Sequence, residues 1–149
     1  MIVTFCGHSS FVATKEAERK MLLYLNTISG DVDFYLGGYG AFDAFAYNCG
    51  KKYKATHKSS KLIFVTPYLT ESYQKNKLNY LMRFYDEILY PEIENIPPKH
   101  AIIHRNRYMI ERSDIVIAYI CHTFGGAYKT FKFATQKKKP IFNLADNLK

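Results

Sequence analysis

Five short runs dominate what this chain can fold into: Ile2-Val3-Thr4-Phe5-Cys6, Val32 to Leu36, Leu62-Ile63-Phe64-Val65, Ile115 to Ile120, and Ile141-Phe142-Asn143-Leu144. They are mostly apolar and do not alternate with polar residues, as expected of strands buried on both faces. Helical spacing separates them. Ala17, Met21, Leu22 and Leu25 mark the inner face of a helix expected over Thr14 to Ile28, stopped by Gly30. Phe42, Phe45, Ala46, Cys49 and Tyr53 mark a second, ending near His57. Pro98 suits the first turn of a third, running to about Arg112, and a fourth covers Ala127 to about Gln136. Strands that alternate with helices predict an α/β fold: a doubly wound, mostly parallel sheet in three layers. The 149 residues suit one domain, 1–149, long enough to bury a core.

The stretch from Thr66 to Lys99 is less regular. A short helix is expected within the polar segment Glu71 to Arg83, and a strand over Phe84 to Leu89. Pro91, Pro97 and Pro98 mark irregular backbone.

The net charge of +8 suits an anionic partner. Lysines gather in Lys51 to Lys61 and Lys129 to Lys139, where solvated helix faces and ends would also place them. Cys6, Cys49 and Cys121 are odd in number and widely spaced, so they read as reduced thiols, not disulfides or zinc ligands. Met1 runs directly into the first strand and no apolar run approaches a membrane span. A cytoplasmic setting without membrane contact is the expectation.

Ligands of doubly wound sheets bind outside the carboxyl ends of the strands. Four polar or glycine-rich groups fall there: Gly7-His8-Ser9, Gly37 to Asp43, Thr66-Pro67-Tyr68, and His122 to Gly126. The stretch Leu36-Gly37-Gly38-Tyr39-Gly40-Ala41-Phe42-Asp43 links a strand to a helix. Its glycines let backbone approach a ligand, and the helix aims free N–H groups at it, a seat suited to phosphate. The dinucleotide fingerprint is absent, since Ala41-Phe42-Asp43 stands where its third glycine belongs, and so is the Walker lysine.

Phe5-Cys6-Gly7-His8, Gly37-Gly38-Tyr39-Gly40-Ala41-Phe42-Asp43, Tyr85-Asp86-Glu87-Ile88-Leu89-Tyr90-Pro91, Arg105-Asn106-Arg107-Tyr108-Met109, and Ser113-Asp114 followed by Gly125-Gly126 resemble the short YpsA-like proteins of the SLOG superfamily. The resemblance spans nearly the whole chain. It implies a Rossmann-like fold, related to Lonely Guy phosphoribohydrolases and to DprA, with a pocket for a nucleotide or an ADP-ribose-like derivative. The chain departs from the hydrolases at one place. Gly125-Gly126 is followed by Ala127-Tyr128-Lys129-Thr130-Phe131-Lys132, without the catalytic glutamate.

The candidate ligand-binding residues are therefore Gly7, His8, Ser9, Gly37, Gly38, Tyr39, Gly40, Asp43, Pro67, Arg107, Gly125 and Gly126. Asp43 would hold ribose hydroxyls, complement the helix dipole, or, in an enzyme, serve as catalyst. Arg105 and Arg107 lie about 200° apart around a helix, so one of them faces the pocket; the resemblance favours Arg107. His100 and His104 lack an intervening glutamate, and Glu87, Glu92 and His122 lack ligand spacing, so neither a metal nor a cofactor is expected. The leading expectation is a sensor or sequestering protein for a nucleotide-like small molecule. An N-glycosidic hydrolase or deoxyribosyltransferase is the alternative. DprA-like single-stranded nucleic-acid binding ranks last, because the lysines are not interleaved with aromatics along one obvious face. A homodimer is suggested only by analogy.

Overall fold

The computed structural model describes residues 1–148. Six strands form one sheet in the order β4-β3-β2-β1-β5-β6, with every pairing parallel. They are β1 (Ile2–Gly7), β2 (Asp33–Leu36), β3 (Lys61–Val65), β4 (Glu87–Leu89), β5 (Ile115–Tyr119) and β6 (Ile141–Asn143). The helices α1 (Lys15–Leu25) and α2 (Gly40–Thr56) cover one face. There Ala17, Met21, Leu25, Phe42, Phe45 and Cys49 pack on Val3, Phe5, Phe34 and Leu36. On the other face, α5 (Ala101–Arg112) and α6 (Gly126–Gln136) bring Met109, Ile110 and Ala134 against Tyr35, Val65, Val116 and Ala118. The three-layer, doubly wound, Rossmann-like α/β domain is as the apolar runs predict.

Local chemistry sets the boundaries. Thr14 caps α1: its hydroxyl accepts the Ala17 N–H at 3.0 Å. The helix ends at Leu25, short of the expected Ile28, and Gly30 follows with φ of 88°. Between β3 and β4 the expected short helix is broken into three parts: α3 (Glu71–Tyr73), a π turn over Gln74–Leu78 and α4 (Asn79–Leu81). The expected strand over Phe84 to Leu89 shrinks to β4, because residues 80–85 close turns on their own carbonyls. Pairing starts only at Asp86, whose backbone donates to Leu62 O at 2.8 Å and whose carboxylate accepts the Leu62 N–H at 2.7 Å. Pro98 opens a 3₁₀ turn, Pro98–His100, and α5 begins after it.

β1 lies between β2 and β5, so the chain winds outward from it in both directions. That switch point puts the ends of β1 and β5 beside the same crevice. Across it, His8 donates its backbone N–H to Tyr119 O at 3.1 Å. At the opposite end, the Asp114 carboxylate accepts the Ile2 N–H at 2.7 Å, fixing the register of the two strands.

The crevice floor is crowded from behind. A Cβ on Gly7 would fall 2.4 Å from the Phe42 ring, which packs among Phe5, Phe11, Phe45 and Tyr119. Gly7→Ala is therefore expected to destabilise the fold by about 1–3 kcal/mol. Urea unfolding would show a lower midpoint; an unchanged midpoint would mean the Phe42 cluster yields without cost.

Candidate functional site

The strand-end loops meet at a cavity of about 210 Å³ lined by Gly7, Tyr39, Asp43, Arg105, Gly126 and Thr130, among others. It opens beside a groove of about 510 Å³ between α5 and α6, whose walls include Asn106, Arg107, Gly126, Lys129, Thr130 and Lys132. Asn106, Gly126 and Thr130 border both spaces, so cavity and groove adjoin.

Arg105 is the residue that shapes the rim. Its side chain is buried, and Nη1 donates to Gly37 O at 3.0 Å and Val65 O at 2.7 Å. Two carbonyls that emerge from β2 and β3 are thereby held by one cation. Its Nε donates to Asn106 Oδ1 at 2.9 Å. Burial lowers the guanidinium pKa, an effect that Asp43 opposes. Gly37 is small for the same reason: a Cβ there would stand 3.1 Å from the guanidinium carbon. Of the two arginines on α5, it is not Arg107 that turns to the strand ends. Arg105 does so, while Arg107 lines the outer groove, its guanidinium 5.3 Å from the Phe133 ring centre.

Asp43 sits in the first turn of α2 and reaches back, its Oδ2 accepting the Tyr39 N–H at 2.8 Å. Burial pushes its carboxyl up to about 6, against the pull of that N–H and of Arg105. Among the residues lining the cavity and groove, Asp43 is the one carboxylate.

At the other lip, Gly125 takes φ of 92°, a conformation suited to glycine, and Gly126 opens α6. Phe124 projects from this turn with 68% of its surface exposed. Its ring stacks on His122 at 3.9 Å between centres, and His122 stacks on buried His8 at 3.4 Å. Burial lowers the His8 pKa, as does the neighbouring His122. Its Nε2 accepts the His122 backbone N–H at 3.3 Å. Asn143 braces this lip by accepting the Ile120 N–H and donating to Ile120 O. Nothing in the sequence singles out Asn143, since its role arises only when β6 lies beside β5.

No protein-family model matches the chain, and neither does any curated protein. Solved structures do. DNA processing protein A from Helicobacter pylori, in a structure that describes its single-stranded DNA binding mode, aligns with a TM-score of 0.62 and 19% identity. The alignment covers 99% of this chain and 71% of that one. DprA from Streptococcus pneumoniae aligns with a TM-score of 0.62 at 16% identity, over 95% of this chain and 49% of its own. The fold resembles that of DprA. The likeness spans this chain almost completely and leaves about half of the pneumococcal protein unmatched.

The expected residues divide by position. Gly7, Tyr39, Asp43 and Gly126 line the cavity, and Arg107 the groove. His8 and Gly125 belong to the same lip. Gly38 and Gly40, with Asp43, border a separate hollow toward Tyr47 and Tyr80. Pro67 lies apart in a cavity with Tyr90 and Pro98, because β3 is two strands from the switch point. Ser9 is exposed on the turn after β1. Among the described residues, His8, Cys121 and His122 bring one potential ligand atom each within 4.8 Å of one another, although spacing alone pointed to no metal.

The Asp43 carboxyl has a testable consequence. Its folded pKa is above its ordinary value of 3.8, so the folded state binds the proton more tightly. The stability this contributes is complete below about pH 4 and is lost as pH rises through about 6. Asp43→Asn keeps an acceptor for the Tyr39 N–H without the charge. It should be more stable than the parent by about 1–2 kcal/mol at pH 7 to 8, with the gap closing toward pH 4. Urea unfolding across that range checks it; a gap that does not vary with pH would refute the assignment.

Proposed function

We propose that this protein binds single-stranded nucleic acid, seating a phosphate at the strand-end cavity and leading the chain along the α5–α6 groove. One observation carries the reading: the cavity opens into a longer trough walled by Arg107, Lys129 and Lys132. A cationic trough tracks a phosphodiester backbone. The cavity itself, about 210 Å³, is smaller than the roughly 300–1,000 Å³ of sites that engulf a small ligand. It suits one sugar-phosphate unit of a chain that continues outside. Exposed Phe124, backed by two imidazoles, offers a flat face beside the N-terminus of α6, where a base can stack while its phosphate meets backbone N–H groups.

The aromatics absent from a linear reading of the lysines are supplied by folding. Lys132 stands 5.8 Å from the Tyr128 ring and Arg107 faces Phe133. The Helicobacter pylori protein of similar fold is described as binding single-stranded DNA, the same class of ligand. A free nucleotide or ADP-ribose-like ligand is the second reading, favoured by Asp43, which can accept hydrogen bonds from ribose hydroxyls in the cavity wall. Membership of the SLOG superfamily, and of its YpsA-like branch, belongs to the same proposal and rests on the motifs and the shared fold.

Fluorescence anisotropy with a labelled oligodeoxythymidine tests the leading reading. Affinity should fall steeply with salt. Replacing Arg107, Lys129 and Lys132 with alanine should weaken binding and flatten the salt slope by about 2, near 0.7 for each phosphate no longer neutralised. Phe124→Ala should cost about 1–3 kcal/mol. Lys51→Ala with Lys58→Ala, on α2 and in the turn that follows it, should leave binding intact. Equal weakening by the control pair and the groove triple would defeat the groove assignment, and saturable binding of AMP or ADP-ribose with none of the oligonucleotide would favour the small-ligand reading.

A further inference from the structure

The turn after β1 and the turn after β5 converge on a second chemistry, separate from phosphate recognition. His8 leaves β1 and Cys121-His122 leave β5, and these three side chains gather one nitrogen or sulfur atom each within 4.8 Å of one another. The cluster contains no carboxylate. A thiolate with two imidazoles is a donor set suited to zinc, and unsuited to magnesium or calcium, which take oxygen ligands.

Three further observations point to an ion. His122 Nδ1 is buried and finds no hydrogen-bond partner, alone among buried side-chain nitrogens and oxygens of the described residues. A buried ring nitrogen without a partner is costly unless something supplies one. His8 is already placed to donate a lone pair: its ring lies 3.4 Å from that of His122, and its Nε2 is engaged by only a long, 3.3 Å contact. The cysteine is also anchored. Asn143 holds both backbone groups of Ile120, so Cys121 projects from a fixed point with its thiol exposed.

We propose that His8, Cys121 and His122 form a three-ligand zinc site at the switch point. The two imidazoles are now stacked nearly parallel, 12° apart, so one must turn for both lone pairs to meet a single ion. His122 is the ring that turns, since it is only half-buried and is covered by exposed Phe124. On binding, the Cys121 Sγ–H proton passes to solvent as the zinc–sulfur bond forms, and the neutral imidazoles donate nitrogen lone pairs. A water completes four-coordination from the exposed side.

The other two cysteines make the test clean. Cys6 and Cys49 are buried, and burial pushes both thiols up to about 12. Alkylation of the folded protein therefore reports Cys121. The chelator-stripped protein should bind one equivalent of zinc without nucleic acid present, with Cys121 protected from iodoacetamide. Cobalt in place of zinc should give a tetrahedral ligand-field spectrum with a sulfur charge-transfer band. Removing a mere supporting partner commonly costs about 10–100-fold in metal affinity, so Cys121→Ser and His122→Gln should each weaken zinc by at least about tenfold. Circular dichroism of both variants should match the parent. Absence of stoichiometric binding, binding undiminished in Cys121→Ser, or alkylation unaffected by zinc would each overturn the site. Because no oligonucleotide is used, its failure would leave the groove reading standing.

Discussion

The rim of this protein depends on one buried cation. The Arg105 guanidinium occupies the space behind the Gly37 turn and binds carbonyls leaving two neighbouring strands. Those carbonyls stand at the end of the sheet, one on the last residue of β3 and one just beyond β2, and an unpaired buried carbonyl is expensive. An arginine meets both with one nitrogen while directing Nε to Asn106. The cost of burying its charge is offset by those bonds and by Asp43 nearby. A glycine at position 37 suits the same contact, since a Cβ there would stand 3.1 Å from the guanidinium and press on it.

With the β2 and β3 ends held, the remaining geometry follows from strand order. β1 is central, and its end faces that of β5 across the crevice. The lip made by β2 and α2 carries Asp43, held back by the Tyr39 N–H, with its carboxyl pushed up by burial. The lip made by β5 and α6 is different in kind. It carries no carboxylate in its glycine turn, an aromatic stack ending in solvent, and cations on the helix beyond. The Gly125-Gly126 turn is followed by Ala127-Tyr128-Lys129, so the one carboxylate lining the cavity or the groove is Asp43 on the facing lip.

Position in three dimensions also reassigns residues that look equivalent along the chain. Arg105 and Arg107 differ by two places on α5, which turns one into the core and the other onto the groove. Pro67 lies at a strand end as Gly7 does, yet stands apart, because β3 is two strands removed from β1. His8 and His122 are 114 residues apart and stack face to face.

The apolar runs and helical spacings determined the layers, the parallel sheet and the two glycine turns, because burial period and backbone freedom are properties of neighbouring residues. The Phe84–Leu89 segment resisted that reading, since its first residues satisfy themselves in turns and only Asp86 onward meets a partner strand. Tertiary structure alone decided which arginine turned inward, that Asn143 braces Ile120, and that Cys121 joins two histidines. Each of those depends on strand order, which brings together groups far apart in the chain and which no local spacing encodes.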